Sequence, residues 1–361
     1  MSWIVNREEL ASALKLATAC INRRATIPIL SHVLLDAWPH DKLFVSASDL
    51  DREVSVSVDA DLEGDGSVAV NATLLLDIAS RTNGETVRLD VEPGVVTATS
   101  GRSKFKLASL PSEDFPRIGF SEHEDVTSFE LAPSSLQTAI GETIYAVDSE
   151  AVRAYLTGLL IHPADGKWCC VGADGHRFAR AEFEAPAHGQ NLTPFILPAK
   201  SAVLIRRLFP GWGLNLMVNE HKACFTGNGT RFVTKLVDAV FPDYTGHIPD
   251  NATHTVTVKK ADLAAAISRV SPFAGDSGVA CTFLAESMKI STRGKFQEGS
   301  DEVESAGAVP FDFLVNHIYL VDVLDRLQGD HLTLEFTAKG APVIIKDHRA
   351  EAFHLVMPRL L

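Results

Sequence analysis

The sequence predicts an α+β protein built from one module repeated three times, each copy two helices packed on an antiparallel sheet. Three observations carry that prediction. NREELASALKLAT, APSSLQTAIGETI and KKADLAAAISRVS each follow a short polar/apolar strand and read as alanine- and leucine-rich helices. Landmarks return in register: Leu10 and Leu136 are 126 residues apart, as are Phe115-Pro116 and Phe241-Pro242, and Asp49 and Asp174 are 125 apart. The third copy is shorter, with 116 residues from Pro242 to Pro358. Such a period is too long for a solenoid unit, so each copy is a small domain.

In the first copy a helix over 7–20 is followed by LSHVLLDA, KLFVSAS and REVSVSVDA. The last of these alternates, with Val54, Val56 and Val58 on one face, as a half-buried strand does. Asn71 is placed to cap a second helix, ATLLLDIASR, which Asn83-Gly84 ends. Short strands near 86–91, 95–99 and 104–108 complete the copy, with Pro93-Gly94 as a hairpin turn. The second copy repeats the order with LTGLLIHP, KWCCVGA and RFARAEFEA, a helix over about 199–208, and strands near 213–218, 222–226 and 230–237. In the third, VACTFLA, SMKISTR and EVESAGA precede the helix VNHIYLVDVLDRL, and LTLEFTA, PVIIKD and AEAFHLVMP close the chain. Polar linkers near 119–126 and 247–253 set domain limits of 1–121, 122–250 and 251–361.

Composition narrows the function. The chain has 361 residues, 46% hydrophobic and 22% charged, which suits a soluble globular protein of two or three domains. No apolar run reaches the roughly 18 residues of a membrane span, and MSWIVNREEL is no secretory signal. Five cysteines with no C-x-x-C pairing fit a reducing cytoplasm. The net charge of −13 argues against binding nucleic acid through the overall field, but leaves room for a local basic surface. Phosphate-loop, nucleophile-elbow and zinc-protease motifs are absent from the sequence, so no enzyme, cofactor or metal is expected.

Six helices per chain invite a size argument. Set side by side in a ring at about 9 Å spacing, they give a circumference of roughly 54 Å and almost no hole. Two chains give roughly 108 Å, and an opening of roughly 24 Å after helix radii are removed. A nucleic-acid duplex fits the second ring and not the first. If the helices line such a ring, one chain cannot make that pore and two can, each as half of a six-domain ring.

The order and spacing of several short motifs now matter together. They are Thr26-Ile27-Pro28-Ile29-Leu30, Ser48-Asp49-Leu50, Leu110-Pro111 with Phe115-Pro116, and Leu156-Thr157-Gly158. Ala173-Asp174-Gly175-His176-Arg177-Phe178-Ala179, Phe241-Pro242-Asp243-Tyr244 and Val356-Met357-Pro358 complete the set. Over essentially its whole length the chain resembles the bacterial DNA polymerase III beta subunit family, the sliding clamps. The resemblance implies clamp-type domains in a head-to-tail homodimer closed around double-stranded DNA without sequence preference. It also implies a replicative polymerase, an ATP-dependent clamp loader and other motif-bearing proteins as partners, and a place in the cytoplasm at the nucleoid.

Asp174 beside His176 invites a hydrolase reading, but Asp-Gly is a hairpin signal and Asp49 stands in the equivalent place with no histidine nearby. His176 and Arg177 read as peculiar to the second copy. The resemblance gives them a role at a pocket for short linear peptides, with Leu156, Gly175, Phe178, Pro242, His247, Pro342, Val343, Leu355, Val356, Met357, Pro358, Arg359 and Leu360. An adaptable methionine suits a pocket used by many proteins. Gly246-His247 and Arg359 depart from the family's usual residues.

Candidate DNA-facing residues are Arg7, Lys15, Arg24, Arg81, Lys200, Arg206 and Arg207, with Tyr155 added by the resemblance. Acidic residues on the same helices keep the basic excess modest, which leaves open a clamp-like peptide-binding scaffold that no longer encircles DNA. The acidic run Glu298, Asp301, Glu302, Glu304 and the basic strand around Lys104, Phe105, Lys106 and Leu107 are expected to meet across a dimer interface. That contact would pair their charges and bury Phe105 and Leu107 against Phe273.

Overall fold

A computed structural model describes the chain except for residues 22–25, 39–40, 121–125, 187–188, 250, 276–277, 285, 295–296, 308, 348–351 and 360–361, and the side chains at 38 and 190. The repeat is visible as a common run of elements: strand, helix, four strands, helix, three strands. The first copy is β1 (Ser2–Asn6), α1 (Arg7–Ala17), β2 (His32–Trp38), β3 (Lys42–Ser48), β4 (Arg52–Glu63), β5 (Gly66–Asn71), α2 (Ala72–Arg81), β6 (Thr86–Glu92), β7 (Val95–Ser100) and β8 (Ser103–Leu110). The second is β9 (Thr127–Leu131), α3 (Ser135–Thr143), β10 (Gly158–Ala164), β11 (Lys167–Ala173), β12 (Arg177–Glu184), β13 (Phe195–Pro198), α4 (Ala199–Leu208), β14 (Leu214–Val218), β15 (Lys222–Gly227) and β16 (Thr230–Lys235). The third is β17 (His254–Lys259), α5 (Lys260–Val270), β18 (Val279–Phe283), β19 (Ser287–Arg293), β20 (Glu298–Ala306), β21 (Phe313–Val315), α6 (His317–Leu324), β22 (His331–Phe336), β23 (Val343–Asp347) and β24 (Ala352–Val356).

Helices α1, α2 and α6 start where a side chain can accept the first free amides. Asn6 Oδ1 accepts from Glu8 and Glu9, Asn71 Oδ1 from Leu74, and Asn316 Oδ1 from Ile318. Each such cap contributes about 1 kcal/mol. The first helix ends at Ala17 and continues as a single 3₁₀ turn over Thr18–Cys20, tighter than the helix expected over 7–20.

The strands form two twelve-stranded antiparallel sheets, and their composition is not one sheet per repeat. The first runs β1-β6-β7-β8-β5-β2-β3-β4 and continues into β16-β15-β14-β9. The second begins β13-β10-β11-β12, continues into β24-β23-β22-β17 and ends β20-β19-β18-β21. Each repeat therefore supplies two four-stranded halves, and the middle repeat gives one half to each sheet. Two compact units follow the sheets: 1–137 with 186–191 and 203–236, and 138–185 with 192–202 and 237–361.

Apolar faces fill each unit. Trp3, Leu10, Leu14, Leu34, Leu35, Leu43 and Leu75 are fully buried in the first. In the second, Phe336 packs edge-on against Phe283, Phe311 and Phe313. All five cysteines are buried thiols, not disulfides, and burial pushes the thiols of Cys20, Cys170 and Cys281 up to about 12. They act as small hydrophobes. No helix among the described residues is long and apolar enough to cross a membrane.

Candidate functional site

The hairpin between β11 and β12 is built on Asp174. Its Oδ1 accepts from the amides of His176 (2.8 Å) and Arg177 (2.9 Å), and its Oδ2 from Arg177 Nε (2.8 Å). Gly175 takes φ +90°, which a glycine adopts without strain. The first repeat has the same device: Asp49 Oδ1 accepts from the amides of Asp51 and Arg52, its Oδ2 from the Arg52 guanidinium, and Leu50 stands at φ 77°. Arg52 is thus the counterpart of Arg177, which corrects the expectation that Arg177 is peculiar to the second copy. Only His176 is, with Asp51 in its place. Both oxygens of Asp174 are committed to the turn, and the His176 ring lies instead parallel to Tyr319, 6.2 Å between centroids. The pair is not set up for acid–base chemistry.

Arg177 does not reach solvent as a free cation. Its second amine pairs with Asp322 on α6, and its guanidinium lies 4.7 Å from the Tyr319 ring centre and 5.5 Å from that of Tyr145. Below it, Tyr145 Oη and Nδ1 of His354 are hydrogen-bonded (2.9 Å), and His354 is completely buried. Desolvation pushes the His354 imidazole down to about 4, so it is neutral, and raises the Tyr145 phenol, so it stays protonated. Tyr145, Tyr319, Asp322 and His354 were missed in the sequence. The Tyr-x-x-Asp spacing on one helix side is the one signal that pointed to them.

Register then assembles much of the expected pocket. Arg177 pairs with Val356 and Phe178 with Leu355 across β12 and β24, and Val343 pairs with Val356 across β23. The amide of Met357 donates to the carbonyl of His176 (2.8 Å), which holds the half-exposed Met357 beside the hairpin. Phe178 and Leu355 join an apolar cluster with Leu160 and Ile196, flanked by Tyr155, Phe241, Tyr244 and Ile248. Leu156 is buried beside Tyr155, while Pro242 and His247 are exposed on the segment carrying Phe241 and Tyr244, and Pro342 precedes β23. Pro358 and Arg359 line a different cavity, about 230 Å³, with Phe311, Phe313 and Leu314, and Arg359 donates its amide to Leu314 (2.8 Å). Leu360 lies outside the described residues.

Among the described residues, two of the stretches with a strand partner on one side only carry the residues expected at the dimer contact. On β8, residues 103–108 pair only with β7, and on β20, residues 298–304 pair only with β19. Lys104, Phe105 and Lys106 are exposed along the first, and Glu298, Glu302 and Glu304 along the second. A cavity of about 760 Å³ lies beside β8, lined by Leu74, Ile78, Phe105 and Leu107. Two expectations need correction. Leu107 is already buried within its own repeat, and Asp301 pairs with Arg269 of its own chain (2.5 Å), which holds its carboxyl below the usual range. Phe273 keeps 40% of its surface exposed, and its ring covers Gly299 of β20.

Residues 1–119, 130–243 and 246–359 match the N-terminal, central and C-terminal domains of the DNA polymerase III beta subunit. The chain belongs to that family. The beta sliding clamp of Caulobacter vibrioides is 30% identical over 364 residues, covering 96% of each chain. Two solved structures cover all of this chain and all of their own. These are the DNA polymerase sliding clamp of Caulobacter crescentus (28% identity, TM-score 0.94) and the sliding clamp of Pseudomonas aeruginosa bound to griselimycin (27%, 0.94). Three repeated beta-clamp domains are the fold of the family and of this chain.

As a beta-subunit family member, the chain distributes helix charge unevenly. On α4, exposed Lys200, Arg206 and Arg207 recur at helical spacing around exposed Val203, with no acidic residue on that helix. Lys15 is exposed on α1, and Arg207 donates to its carbonyl (3.3 Å). Arg81 is exposed but paired with Asp77 one turn away. Arg7 is spent inside its own repeat, where its guanidinium donates to the carbonyls of Gly84 (2.9 Å) and Ala79 (3.2 Å) at the end of α2. Tyr155 packs edge-on against Phe241, 5.9 Å between centroids. Arg24 lies outside the described residues.

Proposed function

We propose that this chain is a DNA polymerase processivity factor without catalytic activity of its own. Two copies join head to tail as a six-domain ring around duplex DNA, slide along it and tether the replicative polymerase. Repeats divided at 121/122 and 250/251 make up each half. An ATP-dependent loader opens the ring, and polymerase, loader and other proteins share the pocket at His176 and Met357. Griselimycin, bound in the Pseudomonas aeruginosa structure, is a ligand for that pocket here. The protein works in the cytoplasm at the nucleoid.

One observation carries the ring. At both joints within the chain, the fourth strand of a repeat pairs with the eighth strand of the next: β4 with β16, and β12 with β24. The two strands left over are β20, the fourth of the last repeat, and β8, the eighth of the first. The same rule applied between copies closes the series, and two copies make a heterologous contact that returns on itself.

The internal joint also supplies a register. In β4–β16, the hairpin-closing residue Thr230 sits opposite Val56, three residues past the hairpin-closing Glu53. Transferred to Ser103 of β8 and Glu298 of β20, the closing residues of their own hairpins, this sets Phe105 opposite Gly299 and Lys106 opposite Glu298. Phe105 then lies on the same sheet face as Phe273, and Lys104 and Lys106 share the other face with Glu298 and Glu302. Apolar meets apolar and opposite charges face each other, each charge pair contributing roughly 0.2–1 kcal/mol. This register supports β8 and β20 as the dimer contact.

Contact with DNA falls to Lys15, Lys200, Arg206 and Arg207, reading phosphate and not sequence. The test is loading onto nicked circular DNA. A ring stays on the closed circle and leaves when the circle is cut; a scaffold that no longer encircles DNA leaves both at one rate.

A further inference from the structure

The Asp174 hairpin occurs twice in this chain, and the two copies differ in one respect. In the first, Arg52 pairs among the described residues with Asp49 alone. That is sufficient to form the hairpin, since Asp49 accepts the turn amides just as Asp174 does. In the second, Arg177 makes the same bond and adds Asp322, Tyr319 and Tyr145. The added contacts are therefore not needed to fold a hairpin. They tie it to α6, and the tied hairpin is the one whose His176 carbonyl receives Met357.

We propose that Asp322 is a positioning residue of the peptide pocket: it fixes Arg177 as a strut and thereby sets His176 and Met357 for binding, while touching no ligand itself. The proposal rests on the pocket reading above. Arg177 accordingly serves as an internal brace, not as a cation offered to a peptide. Its side chain is 15% exposed and its Nε is spent on Asp174, whereas Asp322, at 34%, lies towards the surface. Removing the Asp322 carboxylate leaves Arg177 with Asp174 and the Tyr145 and Tyr319 rings, and Asp174 as its one carboxylate, as Asp49 is for Arg52. The hairpin survives and its tie to α6 loses its charge-assisted bond, leaving the weaker ring contacts with Tyr319. A low-exposure guanidinium held on both sides by carboxylates has one geometry, while one held on a single side can swing.

Griselimycin titrated calorimetrically into the full-length protein is the probe. Asp322→Asn should weaken binding about tenfold, or about 1.4 kcal/mol. Melting temperature and solution mass should stay at wild-type values, and Asp322→Glu should recover most of the affinity. In a double-mutant cycle, Arg177→Gln should lose at least as much, and Asp322→Asn added to it should cost nothing further. Unchanged affinity in Asp322→Asn, or losses that add in the double variant, overturns the positioning role while leaving the pocket in place. A wild-type protein that does not bind griselimycin overturns both.

Discussion

Phe105→Ala offers the sharpest test of ring closure. In the isolated chain Phe105 leaves 37% of its surface exposed on the open edge of β8, beside Leu74 and Ile78. A phenylalanine side chain presents roughly 200 Å², so about 75 Å² is left for a second copy to cover. At about 25 cal/mol per Å² that is about 2 kcal/mol per interface. A two-chain ring has two identical interfaces, so the variant should lose about 4 kcal/mol, raising the dimer dissociation constant about a thousandfold. Sedimentation equilibrium across a concentration series reads this directly. The monomer should melt below the wild type too, because most of the Phe105 side chain is already covered by its own chain, so the dimer constant is read apart from the melting temperature. Leu107→Ala makes the contrast: buried two residues along the same face, it should cost about 2–5 kcal/mol of folding stability. A dimer constant for Phe105→Ala within threefold of the wild type would refute the edge-to-edge contact, as would a loss as large for Phe44→Ala, another exposed phenylalanine far from both edges in sequence.

Two further outcomes follow. His354 is buried neutral, with its basicity depressed to about 4 against about 6.5 when unfolded. Below pH 6.5 the unfolded chain takes up a proton that the folded chain refuses, so stability present at pH 7 falls as pH drops from 6.5 towards 4, by about 3 kcal/mol in all. Melting curves of His354→Gln should lack that part of the acid slope, and parallel slopes would count against it. On the helices, replacing Lys200, Arg206 and Arg207 by glutamine should shorten retention on circular DNA and flatten its salt dependence by about 0.9 per lost phosphate contact in a log–log plot. Arg7→Ala should leave that slope alone and lower the melting temperature through two lost bonds to α2, each about 1–3 kcal/mol. The opposite pattern would exchange their roles.

Much of this was legible in the chain. Repeat spacing gave the three copies, and Asn71 announced α2 because a short side-chain amide before an apolar run has few other uses. Strand alternation located β4 through Val54, Val56 and Val58. What sequence could not supply was partnership between distant residues. Arg7 reads as a DNA-facing cation because nothing local shows the carbonyls of Ala79 and Gly84 waiting for it. Asp301 looked free for the same reason, with Arg269 lying 32 positions away. The brace from Asp322 to Arg177 spans 145 positions, and only the pairing of β12 with β24 makes it short. The division of the middle repeat between two sheets was likewise invisible, since hydrophobic alternation marks which face of a strand is buried and not which neighbour borders it.

That division has a further consequence. The central third of the polypeptide possesses no complete sheet, and on its own it would present two naked borders, β16 and β12, each stripped of the companion it has in the whole. Bare strand borders recruit whatever main chain they meet, so an excised central segment is destined to clump and not to fold as a miniature. Shortening this protein at the sequence boundaries that its own periodicity advertises therefore leaves such borders bare.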